Sequence, residues 1–158
     1  MNKERAAFDQ LMSLLDQVMN RMGTAHSPAN DFGTGVPLYR AEIHTIQSIG
    51  QNPGINMTEL ARLMNVTKGA ISQTVNKLER KELVRKTRIG TDNREVVLLL
   101  TDLGWNGYHN HEKYHAQTYN IVRQYFGDKF KSKLKTHTTV MNELNEIMDL
   151  MEKQSKNA

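Results

Sequence analysis

The sequence of 158 residues contains no cysteine and no long apolar run. Without a thiol, the chain cannot form disulfide bonds or cysteine-ligated zinc sites, and it cannot use thiol catalysis or cysteine-based redox sensing. No apolar stretch approaches the ~20 residues that a membrane-spanning helix needs. The start, MNKERAAF, is charged and lacks the apolar core of a signal peptide. We therefore expect a soluble, cytoplasmic protein, either one domain or one small domain with extensions for pairing, long enough to bury a hydrophobic core.

Sequence signatures of the common enzyme classes are missing as well. The chain has no P-loop, no glycine-rich dinucleotide fingerprint and no Ser/His/Asp arrangement. We therefore expect a protein that is not an enzyme and that requires no cofactor.

What the sequence does contain is a local excess of positive charge. Residues 66–94 include eight basic and three acidic residues, which gives a net charge of +5, whereas the whole chain carries +4. Such a local excess is typical of a surface that meets the phosphate backbone of a nucleic acid. The charge pattern therefore predicts double-stranded DNA as the partner.

The spacing of apolar residues and turn residues predicts a mainly α-helical protein with one small β-hairpin. Asn56 and Glu59 fit the capping box of a short helix, and Thr67 fits the N-cap of the next helix. Two predicted strands follow, Leu83–Ile89 and Glu95–Leu100, with a turn-rich segment between them. Two helices joined by a tight turn and followed by a hairpin are the elements of a winged helix-turn-helix.

A long helix with an apolar stripe is predicted at each end of the chain. In the last helix the stripe recurs with alternating steps of four and three residues, which is a heptad seam with one polar member. An amphipathic helix packed on its own core would also have such a stripe. Apolar stripes on long helices at both ends of a small DNA-binding core favour dimerisation, and most soluble oligomers are symmetric assemblies of one chain. The seam consists of Phe130, Leu134, His137, Met141, Leu144, Met148 and Met151.

These elements predict a winged helix-turn-helix core flanked by dimerisation helices. Residues 1–37 are expected to form the N-terminal dimerisation helix and a loop, and residues 38–101 the DNA-binding core. Residues 102–158 are expected to form a long linker helix, which begins after Thr101, and the C-terminal dimerisation helix. The tail, Lys153–Ala158, is expected to fray.

The helix after Thr67 is predicted to enter the major groove, which is wide enough for one helix. The amides of Gln73 and Asn76 suit adenine, and the ammonium groups of Lys68 and Lys77 suit guanine or phosphate. Arginine at the hairpin tip suits a narrow minor groove. Any one of these residues taken alone is equally typical of an ordinary solvated surface. The predicted DNA contacts are Thr67, Lys68, Gly69, Ser72, Gln73, Asn76, Lys77, Arg88, Asp92 and Arg94.

The run INMTELARLMNVTKGAISQTVNKLERKELV, with Asp92-Asn93-Arg94 and then LTDLG at 100–104, resembles the MarR family of bacterial transcription regulators. The resemblance extends over nearly the whole chain. It implies a homodimer that places one recognition helix in each half-site of a near-palindromic operator, most often as a repressor controlled by a small effector. It also implies that Asp92 orients the wing and that Arg94 reaches the minor groove.

His111-Glu112-Lys113-Tyr114-His115 is formally an H-E-x-x-H sequence, in which two histidines on one helical face can bind zinc beside a glutamate base. A metallohydrolase also needs a third ligand and an open coordination position. Glu143 and Glu146 are the obvious candidates for that ligand, and both lie beside the heptad seam.

Zinc as an effector is an alternative that needs no catalysis. The zinc-responsive branch of the MarR family resembles this chain at His44, His111 and His115. That branch has a carboxylate in the stretch where this chain has His26, and imidazole also binds zinc. The hypothetical zinc ligands are therefore His26, His44, His111 and His115.

An organic effector is the rival hypothesis. Aromatic and aliphatic residues near the junction of the core and the pairing helices suit a flat hydrophobic ligand, although each of them is also typical of simple packing. The residues predicted to line such a pocket are Leu38, Tyr39, Ile43, Trp105 and Tyr108.

Overall fold

The computed structural model describes residues 3–24, 30–89 and 95–156. The chain divides into two compact units, Met1–Glu112 and Lys113–Ala158. Six α-helices, one short 3-10 helix and two strands are present in the described ranges. In chain order they are α1 (Lys3–Thr24), α2 (Arg40–Gln51), α3 (Met57–Leu63), α4 (Lys68–Arg80), β1 (Val84–Ile89), β2 (Glu95–Leu100), α5 (Asp102–Phe126), the 3-10 helix (Gly127–Lys129) and α6 (Phe130–Lys156).

The hydrophobic core of the first unit lies between α2, α3, α4 and the hairpin. The two strands pair antiparallel, with Val84 opposite Leu100 and Ile89 opposite Glu95. Apolar side chains at helical spacing on α2 and α4 pack against the inner face of the hairpin. The predicted fold class, mainly α with a hairpin wing, is confirmed. The core consists of Leu38, Ile43, Ile46, Ile49, Ile55, Leu60, Ala61, Ile71, Val75, Leu78, Leu83, Val84, Leu98 and Leu100.

The helix-turn-helix is formed by α3 and α4, and local capping sets where each helix begins. The Oδ1 atom of Asn56 accepts hydrogen bonds from the backbone N–H groups of Thr58 and Glu59, both at 3.0 Å, and Glu59 Oε2 accepts from the Asn56 N–H at 3.2 Å. This is the predicted capping box, and it starts α3.

Asn65 adopts a positive φ of 52° in the turn that follows. Thr67 Oγ1 then accepts from the Ala70 N–H at 3.2 Å and starts α4, as predicted.

The segment Asn30–Leu38 is attached to the first part of α5. The side-chain amides of Asn106 and Asn110 donate to the carbonyl groups of Gly33 and Phe32, at 2.6 Å and 2.9 Å. The beginning of α5 also lies against the base of the wing. A Cβ atom at Gly104 would lie 2.0 Å from the Leu83 carbonyl oxygen, so only glycine permits this approach.

Helices α1 and α6 show many large apolar side chains at their surface. In α6, Leu134, Met141, Met148 and Met151 are each more than half exposed, and they belong to the predicted heptad seam. The prediction that the chain frays from Lys153 is wrong, because α6 continues to Lys156. None of the helices in the described ranges has the length and apolar character needed to cross a membrane.

Candidate nucleic-acid interface

Helix α4 has one buried face and one exposed face. Ile71, Val75 and Leu78 are buried in the core. Because side chains three and four residues apart share a helical face, the residues between them point outward. The predicted contacts Lys68, Gly69, Gln73, Asn76 and Lys77 are all exposed, and Ser72 is half-buried at the edge of this face. The structure therefore brings the predicted recognition residues together on one surface.

The exposed face of α4 is linked to the wing by a lysine of β1. Lys86 Nζ donates to Asn76 Oδ1 at 2.7 Å and lies 2.9 Å from Glu79 Oε2. Since an ammonium group only donates, the atom of the Asn76 amide that faces it must be the oxygen. The prediction that Asn76 pairs with adenine requires the same oxygen to accept from the base. In the free protein, however, that oxygen already accepts from Lys86.

Lys86 and Glu79 lie beside the predicted contact Asn76, and the sequence analysis did not single them out. Lys86 follows Asn76 by ten residues and meets it only because β1 folds back beside α4. One local feature of the sequence bears on the position of Lys86. Side chains alternate along a strand, so Lys86 lies on the same sheet face as the buried Val84. Alternation alone could not identify the partner on α4.

A shallow depression of about 390 Å³ lies on the exposed side of α4. Its lining combines two amides, two basic side chains and one carboxylate, and these groups can donate to or accept from base edges and phosphate. The lining residues are Gln73, Asn76, Lys77, Glu79 and Arg80.

The wing places Arg88 opposite Val96 in the antiparallel register, and its side chain is exposed. Asp92 and Arg94 lie outside the described residues, so their predicted roles at the wing tip stay predictions. Thr67 is exposed, and its hydroxyl oxygen serves as the N-cap of α4.

Two of the four histidines suggested as zinc ligands lie close together. The ring centroids of His44 and His111 are 5.5 Å apart, and Phe32 packs edge-on against His111 at 5.2 Å. His111 is buried and His115, one turn further along α5, is exposed. His26 lies outside the described residues. Within the part of the chain that the structure describes, no three His, Asp or Glu side chains are grouped so as to hold a metal ion.

Glu112, which would be the base of an H-E-x-x-H hydrolase, accepts a hydrogen bond from the side-chain amide of Gln47 at 3.0 Å. This contact ties α5 to α2.

The five residues predicted to line an organic effector pocket have different environments. Leu38 and Ile43 are buried members of the core. Trp105 and Tyr108 pack against each other edge-to-face at 5.2 Å, whereas Tyr39 is 62% exposed. Tyr108 also lies so close to Gly50 that a Cβ there would be 2.7 Å from its ring. Packing in or against the core accounts for Leu38, Ile43 and Tyr108, whereas Trp105 and Tyr39 are exposed.

The sequence profile of the MarR family matches residues 38–96, which hold α2, α3, α4, β1 and the beginning of β2. A curated relative, the uncharacterized HTH-type transcriptional regulator YhjH of Bacillus subtilis (strain 168), is 29% identical over 96 residues. The alignment covers 61% of this chain and 55% of the relative, so the match spans about half of that protein's length.

Two solved structures are similar in fold. The crystal structure of FabT from Streptococcus pneumoniae in complex with DNA is 20% identical, with a TM-score of 0.70, and the match covers 92% of this chain and 99% of FabT. The zinc-responsive MarR family member ZitR of Lactococcus lactis is 19% identical, with a TM-score of 0.65, over 87% of this chain and 97% of ZitR. Residues 38–96 are therefore similar in sequence to the MarR family, and the chain shares the winged helix-turn-helix fold of these two structures.

Proposed function

We propose that this protein is a sequence-specific DNA-binding regulator of transcription. It acts as a homodimeric repressor on a near-palindromic operator and is relieved by a small effector. The observation that carries the proposal is the exposed polar and basic face of α4, the second helix of the helix-turn-helix. A helix in this position fits the major groove, where side chains near its N-terminus reach base edges.

Within this face, charge and amide groups have different tasks. Lys68 and Lys77 neutralise phosphates, which supplies affinity on any sequence and makes that affinity depend on salt. Gln73 donates and accepts at base edges, which supplies discrimination between sequences. Arg88 on the wing adds a further positive group beside the duplex, and the predicted role of Arg94 extends this contact into the minor groove.

Exposed apolar residues on the long helices support the homodimer. The α6 stripe of Leu134, Met141, Met148 and Met151 repeats with the four-three spacing of a coiled-coil seam. A contiguous apolar stripe at the surface of a water-exposed helix is unfavourable unless a partner covers it. A second copy of the chain covers it and supplies the second recognition helix for the other half-site.

Zinc is the second candidate for the effector. The adjacent rings of His44 and His111 support it, because imidazole is a preferred zinc ligand, and the similarity to the fold of ZitR is consistent with it. The alternative is an organic ligand beside Trp105 and Tyr108, which pack together on α5. Zinc and an organic ligand would regulate the same DNA-binding protein, and they differ only in the residues that bind them.

The experiment that tests the function is fluorescence anisotropy on a duplex taken from upstream of the protein's own gene, over a series of salt concentrations. We expect tight binding whose logarithm falls linearly with the logarithm of the salt concentration. If the protein does not bind this duplex, or if its affinity does not change with salt concentration, the proposed DNA-binding function is contradicted.

Two substitutions on α4 separate affinity from discrimination. Gln73→Ala is expected to narrow the ratio between the affinity for this duplex and that for random DNA, whereas Lys77→Ala lowers both affinities and reduces the salt slope by about one. Lys153→Ala, which removes the same charge from α6, is the control and is expected to change neither quantity. An equal loss on both duplexes for Gln73→Ala would make Gln73 a positioning contact only.

Zinc is tested in the same assay by adding a chelator and then Zn²⁺. If zinc is the effector, the affinity changes with the metal, and His44→Ala abolishes the response while His109→Ala, an exposed histidine of α5, retains it. Binding that is indifferent to zinc keeps the regulator and excludes the metal as its effector.

A further inference from the structure

A buried ion pair lies where the recognition helix ends. Lys81 is the C-cap residue of α4, and its Nζ atom lies 2.8 Å from both carboxylate oxygens of Glu42 on α2. The same Nζ atom donates to the carbonyl oxygen of Pro37 at 2.7 Å. The side chain of Glu42 is only 5% exposed, and that of Lys81 is 24% exposed.

The carboxylate of Glu42 is held from two directions. Besides the contact with Lys81, Glu42 Oε2 accepts from the backbone N–H of Tyr39 at 2.8 Å, at the beginning of α2. A carboxylate removed from water must be paired and hydrogen-bonded, and loss of one partner leaves an uncompensated charge in the interior. The pair therefore constrains the distance between the first turn of α2 and the last turn of α4.

Lys81 belongs to the positively charged run, yet its contacts do not leave it available to DNA. An ammonium group has three N–H donors, and three acceptor oxygens lie within hydrogen-bond distance of Nζ, one from Pro37 and two from Glu42. A phosphate could bind Lys81 only by displacing a contact with a buried carboxylate. Lys81 thus differs from Lys77, which is exposed on the face of α4.

The turn that follows Lys81 is also fixed from its other side. Glu82 has a positive φ of 60°, and the chain enters β1 immediately after Leu83. Thr101, just before α5, donates through its hydroxyl to the Glu82 carbonyl at 2.6 Å and through its backbone N–H to the Leu83 carbonyl at 3.1 Å. The connection from recognition helix to wing is therefore held by α2 on one side and by the start of α5 on the other.

We propose that Glu42 and Lys81 are positioning residues for DNA binding, whose buried ion pair fixes the geometry in which α4 and the wing together meet the duplex. The inference rests on the proposed DNA-binding function. Neither side chain contacts DNA directly. Their effect comes from the rigid attachment of α4 to α2, which sets the direction of the base-reading side chains.

The decisive variant is Glu42→Gln, because two explanations predict opposite signs for it. Loss of a negative charge from a DNA-binding protein should strengthen DNA binding if only the overall field matters. Loss of the positioning pair should weaken binding to a preferred duplex by roughly ten-fold. The control is Glu82→Gln, which removes the same charge at an exposed position one residue from Lys81 and is expected to leave binding unchanged or slightly tighter.

The duplexes for this test are one that the wild-type protein selects from a random-sequence library and a random-sequence duplex of the same length. A positioning role lowers the affinity for the selected duplex more than that for the random one, which loss of stability alone would not do. Lys81→Met is expected to behave like Glu42→Gln and to leave the salt slope unchanged. Lys81→Arg, which keeps the charge, is expected to restore most of the selectivity.

Either single variant could fail to fold because it leaves one partner of the buried pair uncompensated. The double variant Glu42→Gln/Lys81→Met avoids this, because it leaves no unpaired charge in the interior. Each variant is compared at a temperature at which circular dichroism shows it to be folded. Unchanged or tighter selective binding by folded Glu42→Gln or by the folded double variant would overturn the proposal. A salt slope reduced by about one in Lys81→Met would also overturn it, because Lys81 would then be a phosphate ligand. A wild-type protein that selects no duplex would instead refute the DNA-binding function itself.

Discussion

Apolar residues are buried in the winged core, whereas residues of the same types are exposed on the long terminal helices α1 and α6. Among the described residues, every buried apolar side chain lies between Leu38 and Leu100. Helices α1 and α6 have no buried side chain in the parts of them that the structure describes, although both carry apolar stripes. The winged core therefore buries most of its large apolar side chains within one chain, whereas the apolar stripes of α1 and α6 are exposed. In the proposed homodimer, the core supplies the stability of each chain and the stripes supply the assembly.

A matched pair of leucines provides the strongest test of that difference. Leu60 on α3 is fully buried in the core, and Leu134 on α6 is about half exposed. Leu60→Ala is expected to lower the free energy of unfolding by about 2–5 kcal/mol, through lost burial and the cavity that remains. Leu134→Ala is expected to leave the stability of a single chain nearly unchanged and to weaken dimerisation. Thermal unfolding over a range of protein concentrations separates the two effects.

In that experiment the melting temperature of Leu60→Ala shifts equally at all concentrations, while that of Leu134→Ala falls mainly at low concentration, where the dimer dissociates. Sedimentation equilibrium on the same samples measures the dissociation constant directly. A Leu134→Ala dissociation constant equal to that of the wild type would remove the α6 stripe from the dimer interface.

Two glycines, one at a buried contact and one at an exposed position, extend the comparison of buried with exposed sites. A Cβ at Gly104 would collide with the Leu83 carbonyl oxygen, whereas one at Gly69 would meet only Thr67 Oγ1 at 3.9 Å. Gly104→Ala is therefore expected to destabilise the protein by about 1–3 kcal/mol or more, because backbone must move. Gly69→Ala is expected to stabilise α4 by up to about 1 kcal/mol. Chemical denaturation of both variants measures these changes, and a neutral Gly104→Ala would contradict the close packing of α5 on the wing.

Gly69→Ala carries a second expectation, because Gly69 is one of the predicted DNA contacts and a residue without a side chain lets the backbone of α4 come close to DNA. If so, the variant is more stable than the wild type yet binds DNA more weakly. Anisotropy on the upstream duplex tests this, and undiminished binding would leave Gly69 without a role at the interface.

The sequence predicts most of this fold because its signals are local. The capping box of Asn56 and Glu59, the N-cap at Thr67 and the two strands depend on residues within a few positions of one another, and all are present. The predicted frayed tail was wrong for a reason that is also local. Residues 153–156, KQSK, contain no glycine or proline to end α6, and lysine and glutamine favour helix.

The contacts that the sequence could not predict join distant positions. Glu42 and Lys81 are 39 residues apart, and neither has a distinctive neighbourhood in the sequence. The same limit applies to Leu38 and Ile43, whose apolar character fits a core as well as a pocket, and only the packing of the folded core decides between the two. Side-chain type predicted the exposed polar face of α4, but not the lysine of β1 that donates a hydrogen bond to Asn76.

The smallest expected effect compares two threonines under the same substitution. Thr67 Oγ1 accepts from the Ala70 N–H at the start of α4, whereas Thr139 Oγ1 donates back to the Lys135 carbonyl inside α6. Thr67→Ala is expected to cost about 1 kcal/mol of unfolding free energy, because an orphan N–H loses its acceptor. Thr139→Ala is expected to be neutral or slightly stabilising, because alanine has the higher helix propensity and the backbone carbonyl keeps its partner in the helix. Thr67→Ser, which retains the hydroxyl, should restore the wild-type value in urea titrations. Equal losses at the two threonines would mean that capping does not set the beginning of the recognition helix, and that α4 is held only by its buried face.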